Sequence, residues 1–345
     1  MSGDSAKRIP RRDFIRAGVI AAAGLSIPPG CARAETGAEK NTAPARPGDK
    51  STVVIARNEK VWNGSSLDET LTGELLFGAV RIISGEKSDK AAWKRFFSPF
   101  DQVGVKVNCL GGRSLSPREE LVNAVCAGIQ EAGVPPTSIL IWDSNDRDLR
   151  KAGYRIRADG GGIGCFGTDN PRAGYDRELT SAGQVASRVS RIASTMCSAL
   201  VNVPVLKDHD LAGVSCSLKN YYGAIHNPNK YHANGCDPFI ADVYSMPALG
   251  GKTRLVVCDA TTAQYNGGPG FKSHWSWRHN AIIVSTDPVA LDTVALSIIE
   301  RKRRENGLPT LAEAERPARH VLSAAAPPRN LGAADMKRIK IIEIS

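Results

Sequence analysis

Several features that would assign this chain at once are missing from it. Aromatic residues make up only 6% of the 345 residues, and Lys and Arg nowhere form a block of five or six like charges, so neither a base-stacking platform nor a polybasic arm is present. No Cys-x-x-Cys occurs, which removes the standard ferredoxin and zinc-ribbon spacings. The Gly-rich stretch 159–167 does not put G-x-G-x-x-G directly after a strand, as a dinucleotide site requires, and it reads as a loop. Beyond the first residues no apolar run approaches the roughly 18 residues of a membrane-spanning helix. What is present is a globular composition, 42% hydrophobic and 23% charged, in a length that suits two domains or one large one.

Four of the ten net positive charges fall within the first 34 residues. Arg11 and Arg12 precede Asp13, Phe14, Ile15 and Arg16, a weakly apolar run covers 17–27, and Ala32-Arg33-Ala34 forms a small-x-small cleavage site. This is the pattern of a twin-arginine export signal over residues 1–34. It implies the twin-arginine export machinery as a partner and a periplasmic or other extracytoplasmic location. Lipoprotein anchoring at Cys31 is the lesser alternative, because Pro28 and Pro29 stand where such a site wants Leu and a small residue. Cleavage after Ala34 leaves 311 residues with a charge of +6 and seven cysteines. Nucleic acid then drops out as a partner, no membrane span remains, and an odd cysteine count gives no full disulfide framework. A route used by proteins folded before transport, often with cofactors inserted, raises the expectation of a metal or cofactor site.

The rest of the chain reads as α/β, with mainly parallel sheets flanked by helices. Residues 35–50 are a flexible leader, 51–335 the main domain with lobes at 51–185 and 186–335 and a loop-rich site between them, and 336–345 a C-terminal strand. Strands are expected at 52–56, 103–107, 138–142, 199–205, 254–257 and 281–284, and a helix at 67–83. Ser116 as cap, Pro117 at the first helical position and Glu119 completing a capping box predict a helix running to Gly133, which makes 103–142 a βαβ unit. Thr286 or Asp287 caps a further helix begun by Pro288.

Chemistry concentrates in the stretch poorest in regular structure. Five of the six histidines, His209, His226, His232, His274 and His279, fall within 71 residues, together with Lys207, Lys219 and Cys236. Open parallel sheets bind ligands at the carboxyl ends of their strands, and Lys207 and His209 follow one such strand. Lys106 and Asn108 hold that position at the end of the 103–107 strand, Asp143 and Asn145 after the next, and Asp259 after a later one. We therefore read His209 as general acid/base, with Lys207 and Lys219 binding or covalently holding an anionic substrate or cofactor. Lys106, Asn108, Asp143, Asn145, Asn220, Asp259 and Asp287 are substrate- or cofactor-binding candidates. His226, His232 and Cys236 are the candidate metal ligands.

The run VNVPVLKDHDLAGVSCSLKNYYGAIHNP, with VGVKVN, WDSND and STDPVALDTVA, resembles the domain-of-unknown-function 362 family over about residues 52–335. Its most specific parts are 207–220 and 287–292. Some members carry a ferredoxin module of closely spaced cysteines, which this chain lacks. A more distant similarity is to the nickel-pincer lactate racemase family, in which a strand leads into a His, an A-G pair and, ten residues after the His, a Lys that carries the covalent nickel cofactor. His209, Ala212-Gly213 and Lys219 reproduce that spacing, and a later nickel-ligand His corresponds to His226 or His232. The resemblances imply a metal ion, nickel or iron, ahead of an iron–sulfur cluster, although no motif fixes the cofactor.

The leading expectation is an exported, metal- or cofactor-dependent enzyme acting on a small anionic molecule by His/Lys acid–base chemistry. Two other classes use the same residues. One is a non-catalytic metal or small-ligand binding protein. The other is an electron-transfer protein with a cluster built from scattered cysteines such as Cys109, Cys165, Cys216 and Cys236.

Overall fold

The structure is a computed structural model and describes residues 50–345. The export signal, Cys31 and all but the last residue of the leader lie outside the described residues. Ten strands share one sheet: β1 (Ser51–Arg57), β2 (Val103–Val107), β3 (Ile139–Trp142), β4 (Gly164–Cys165), β5 (Ala199–Val203), β6 (Val205–His209), β7 (Gly213–Ser215), β8 (Thr253–Gln264), β9 (Ser276–Ser285) and β10 (Ile339–Ile344). Their order is β10-β1-β9-β8-β5-β2-β3-β4, with β6 pairing β8 and β7 off this path. β9 runs antiparallel to both its neighbours, and every other pair on the path is parallel.

Strand alternation decides what each face receives. Val103, Val105 and Val107 of β2 and Ala199, Val201 and Val203 of β5 join a core with α1 (Glu69–Ser84), α2 (Asp89–Lys94) and α3 (Glu119–Glu131). Trp142 and Leu200 point the other way, into a core shared with the short helices α5 (Ser217–Asn220) and α6 (Phe239–Tyr244) and with α7 (Pro288–Glu305) and α8 (Arg319–Ala325). Lys106 and Asn202 occupy the same alternating positions and are cross-strand partners. Two polar residues are thereby placed beneath α5.

Several boundaries differ from the sequence reading, each for a local reason. α3 starts at Glu119 with Arg118 as its cap residue, and the Ser116 hydroxyl instead donates to the Gly112 carbonyl at 2.7 Å. The expected 199–205 strand breaks at Pro204. β6 then leaves β5 and runs beside β8, so 205–209 is strand rather than loop. β8 and β9 extend well past their apolar runs because they pair with each other to Gln264 and Ser276, through a register shift between Ala260 and Thr262. The two lobes are not separate bodies. β2 pairs directly with β5 across the 185/186 boundary, and the described residues form one compact unit.

Candidate functional site

The carboxyl ends of β2, β3 and β5 carry a buried polar network. Lys106 Nζ donates to Asp143 Oδ1 at 2.8 Å, to Asn220 Oδ1 at 3.1 Å and to the Val107 carbonyl at 2.7 Å. Asn220 returns its amide to the Lys106 carbonyl and to Asn202 Oδ1, and Asn202 donates to the Ser217 carbonyl. The remaining oxygen of Asp143 accepts from the Cys109 amide at 2.7 Å. All three donors of the ammonium are used, so this group ties α5 to the sheet. The far side of α5 is held by Asp292 of α7, whose carboxylate accepts from the Ser217 and Leu218 amides at 2.7 and 3.1 Å. Burial pushes Asp292 up to about 7, against the pull of those two amides.

Fixed this way, α5 presents Lys219 beside Lys207. Lys207 is 1% exposed and donates to Asn108 Oδ1 at 3.1 Å; Lys219 is 7% exposed and lies 4.1 Å over the Tyr222 ring. Among the described residues neither forms an ion pair: Asp143 is bound to Lys106 and Asp208 to Arg316, and Asp210 acts on Lys219 only through its charge at longer range. Burial brings each ammonium down to about 8, and for Lys207 the charge of Lys219 adds to it. Two buried ammonium groups lie close together with no direct ion pair, an arrangement whose charge an anion would offset.

Two imidazoles flank the lysines, stacked with centroids 6.0 Å apart. His209 Nδ1 accepts from the Leu211 and Ala212 amides at 3.1 and 3.3 Å. The Asp210 carboxylate approaches the same nitrogen to 3.0 Å, but it also accepts the Leu211 amide, which points at both acceptors. The proton of His209 therefore sits on Nε2. His232 Nδ1 donates to the Pro228 carbonyl at 3.1 Å, which leaves its Nε2 as a lone pair, 3.5 Å from Lys219 Nζ. The two rings hold opposite tautomers. Burial and the neighbouring cations keep both neutral, pulling His209 down to about 2 and His232 below the ordinary histidine range.

The other candidates lie elsewhere or are used in building the fold. Asn145 caps α4 (Asp146–Ala152), accepting from the Asp148 amide. Asp259 accepts from Arg118 and Thr261. Asp287 caps α7 and lies at the opposite end of the sheet, just past Ser285, which pairs with Val256 near the start of β8. Of the three proposed metal ligands, His232 and Cys236 both lie beside Tyr222 and Lys219, whereas His226 stands apart, exposed against the Tyr175 ring. Among the described residues no three His, Cys, Asp or Glu side chains are arranged to hold a metal ion. The scattered-cysteine cluster is divided by the sheet, with Cys109 and Cys165 in one core and Cys216 and Cys236 in the other. Sequence reasoning missed Asp292, Asn202 and Arg316. STDPVALDTVA contains Asp292, but its capping of a helix 75 positions away has no local signal.

These features define an α/β protein with a buried cluster of lysines and histidines at the carboxyl end of a mostly parallel sheet. The chain belongs to the family described as Domain of unknown function (DUF362), whose model matches residues 103–297, more than half of it. No curated protein matches the chain. Among solved structures, a crystal structure of a Thermotoga maritima protein is similar at 11% identity and a TM-score of 0.41, covering 70% of this chain. The match spans 60% of that protein.

Proposed function

We propose that this protein is an exported enzyme that binds a small anion between Lys207 and Lys219 and moves a proton on it, with His232 as base and His209 as acid. The observation that carries the reading is the pair of neutral imidazoles held in opposite tautomers beside two buried ammonium groups that make no direct ion pair among the described residues. A base needs a lone pair and an acid needs a proton, and here the backbone fixes one of each. Burial strengthens both the anion contact and the proton transfer. Among the described residues no three His, Cys, Asp or Glu side chains converge as a metal site would need, and the proton transfer uses no metal. The extracytoplasmic location rests on Arg11-Arg12 and the Ala32-Arg33-Ala34 site.

The test is isotope exchange. Protein incubated in D2O with short-chain hydroxy, keto and amino carboxylates and with glycerol and sugar phosphates is expected to place deuterium in one compound, followed by NMR. His209→Gln and His232→Gln should each slow that exchange by about 100-fold or more, the scale of a lost acid or base. A compound that binds but neither exchanges nor converts would make this a binding protein.

A further inference from the structure

The two lysines of the anion site have different surroundings. Lys207 Nζ donates to Asn108 Oδ1 at 3.1 Å, an oxygen that suits an ammonium group. Lys219 bonds no oxygen acceptor among the described residues. Its Nζ lies 4.1 Å over the Tyr222 ring and 3.5 Å from His232 Nε2. That nitrogen carries a lone pair because His232 Nδ1 donates to the Pro228 carbonyl at 3.1 Å, and the ring stands edge-on to Tyr222 with centroids 5.4 Å apart. An amine, a base within reach of its proton and a third group that orients the base are the parts of an activated nucleophile. A lysine that only held an anion would gain nothing from a base, since losing the proton abolishes its charge. Burial adds to the effect by holding Lys219 at about 8, so part of it is free amine near neutral pH. The other groups meet at the same place. The His209 ring stacks on His232 with centroids 6.0 Å apart. Lys207 stands two positions before His209 in β6, so alternation puts both on one face of that strand, while Asp208 between them turns to Arg316. His232 is only partly buried, so this end of the group adjoins solvent.

We propose that Lys219 is a nucleophile that forms an imine with 2-oxo carboxylates, with Lys207 holding the carboxylate and His232 relaying protons. The inference rests on the anion-site reading above and names the substrate class within it. A carbonyl gives the amine its target and a carboxylate gives the other lysine its counter-charge, and a 2-oxo acid carries both on adjacent carbons. His232 takes one proton from the Lys219 ammonium and passes it to the carbonyl oxygen as the N–C bond forms and the C=O π pair moves to that oxygen. His209 Nε2–H is the donor that steadies the oxygen as charge develops on it. A second proton from nitrogen follows the same relay, the oxygen leaves as water, and the nitrogen lone pair closes the C=N bond. The third hydrogen stays on nitrogen as a protonated imine, and nothing is oxidised or reduced. The positive nitrogen acidifies the C–H beside the imine carbon, which is the proton that exchange in D2O would report.

Pyruvate with sodium cyanoborohydride tests this on the full chain, because the reagent reduces the C=N bond to a stable secondary amine. At about pH 8, where Lys219 loses its proton, intact mass is expected to rise by that of pyruvic acid less one oxygen atom, once per chain, and peptide mapping to put the change on Lys219. Labelling there should be at least about tenfold faster than at an exposed lysine such as Lys60. His232→Gln should slow it by about 100-fold, and Lys219→Met should abolish it. Label on Lys207, or spread over the exposed lysines, overturns the inference. So does protein that takes no label while calorimetry shows it to bind pyruvate or phosphate, an outcome that leaves the anion site standing. Protein that takes no label and binds neither overturns both. Mapping in the unmodified protein does not depend on any variant folding.

Discussion

Lys219→Met is expected to weaken phosphate or carboxylate binding by about 30- to 100-fold while making the ligand-free protein more stable at neutral pH. The loss follows from removing a charged, buried hydrogen-bond donor, an effect on the order of 2–3 kcal/mol. The gain follows from the low pKa. Lys207 and Lys219 both sit at about 8 in the folded chain, against 10.5 ordinarily, because burial penalises their charged forms. Below pH 8 folded and unfolded chains carry the same protons, and the folded chain pays to bury them. Between pH 8 and about 10.5 the folded lysines release protons that the unfolded chain retains, so stability rises with pH across that window, by roughly 3 kcal/mol for a lysine shifted by that much. Anion binding runs the other way and weakens above pH 8 as the lysines become neutral. Thermal melts and calorimetry across pH 7–10.5 measure both slopes, and Lys219→Met should flatten them. Affinity that holds steady to pH 10 would contradict a lysine-based anion site.

The second large effect separates scaffold from site. Lys106→Met should destabilise the fold by about 3–5 kcal/mol, the cost of stranding a buried partner charge. Asp143 would keep the Cys109 and Ser144 amides as donors but lose its counter-ion, and Asn220 would lose the ammonium that orients it over β2. A double-mutant cycle with Asp143→Asn should return a coupling energy above about 1 kcal/mol. Protein that remains folded should bind anion within about threefold of the unmodified chain, because α5 is also held by Asp292. A large affinity loss without a stability loss would move Lys106 into the binding site.

What was legible in the sequence depended on how local the signal was. Val103 to Val107 is an apolar run with a strand's length, and β2 has those bounds. Lys207, His209 and Lys219 were visible because they are polar residues crowded just past such a run. The cap at Ser116 misled because the Ser-Pro-x-Glu pattern is real, yet Asp259 takes the Arg118 amide from 141 positions away and starts the helix two residues later. Lys106 and Asp143 were rightly placed at strand ends. Whether such groups face a ligand or each other depends on β2 lying next to β3, and that is not a local property.

The account depends most on His209 and His232 presenting opposite groups to the same space. Long-range proton–nitrogen NMR spectra of the protein labelled at histidine nitrogen, assigned with His209→Gln and His232→Gln, report each ring's tautomer and its titration. The prediction is His209 as the Nε2–H form, neutral throughout pH 5–8, and His232 as the Nδ1–H form, titrating below the ordinary histidine range. Two rings in the same tautomer, or a His209 that takes up a second proton near the usual histidine pKa, would contradict it.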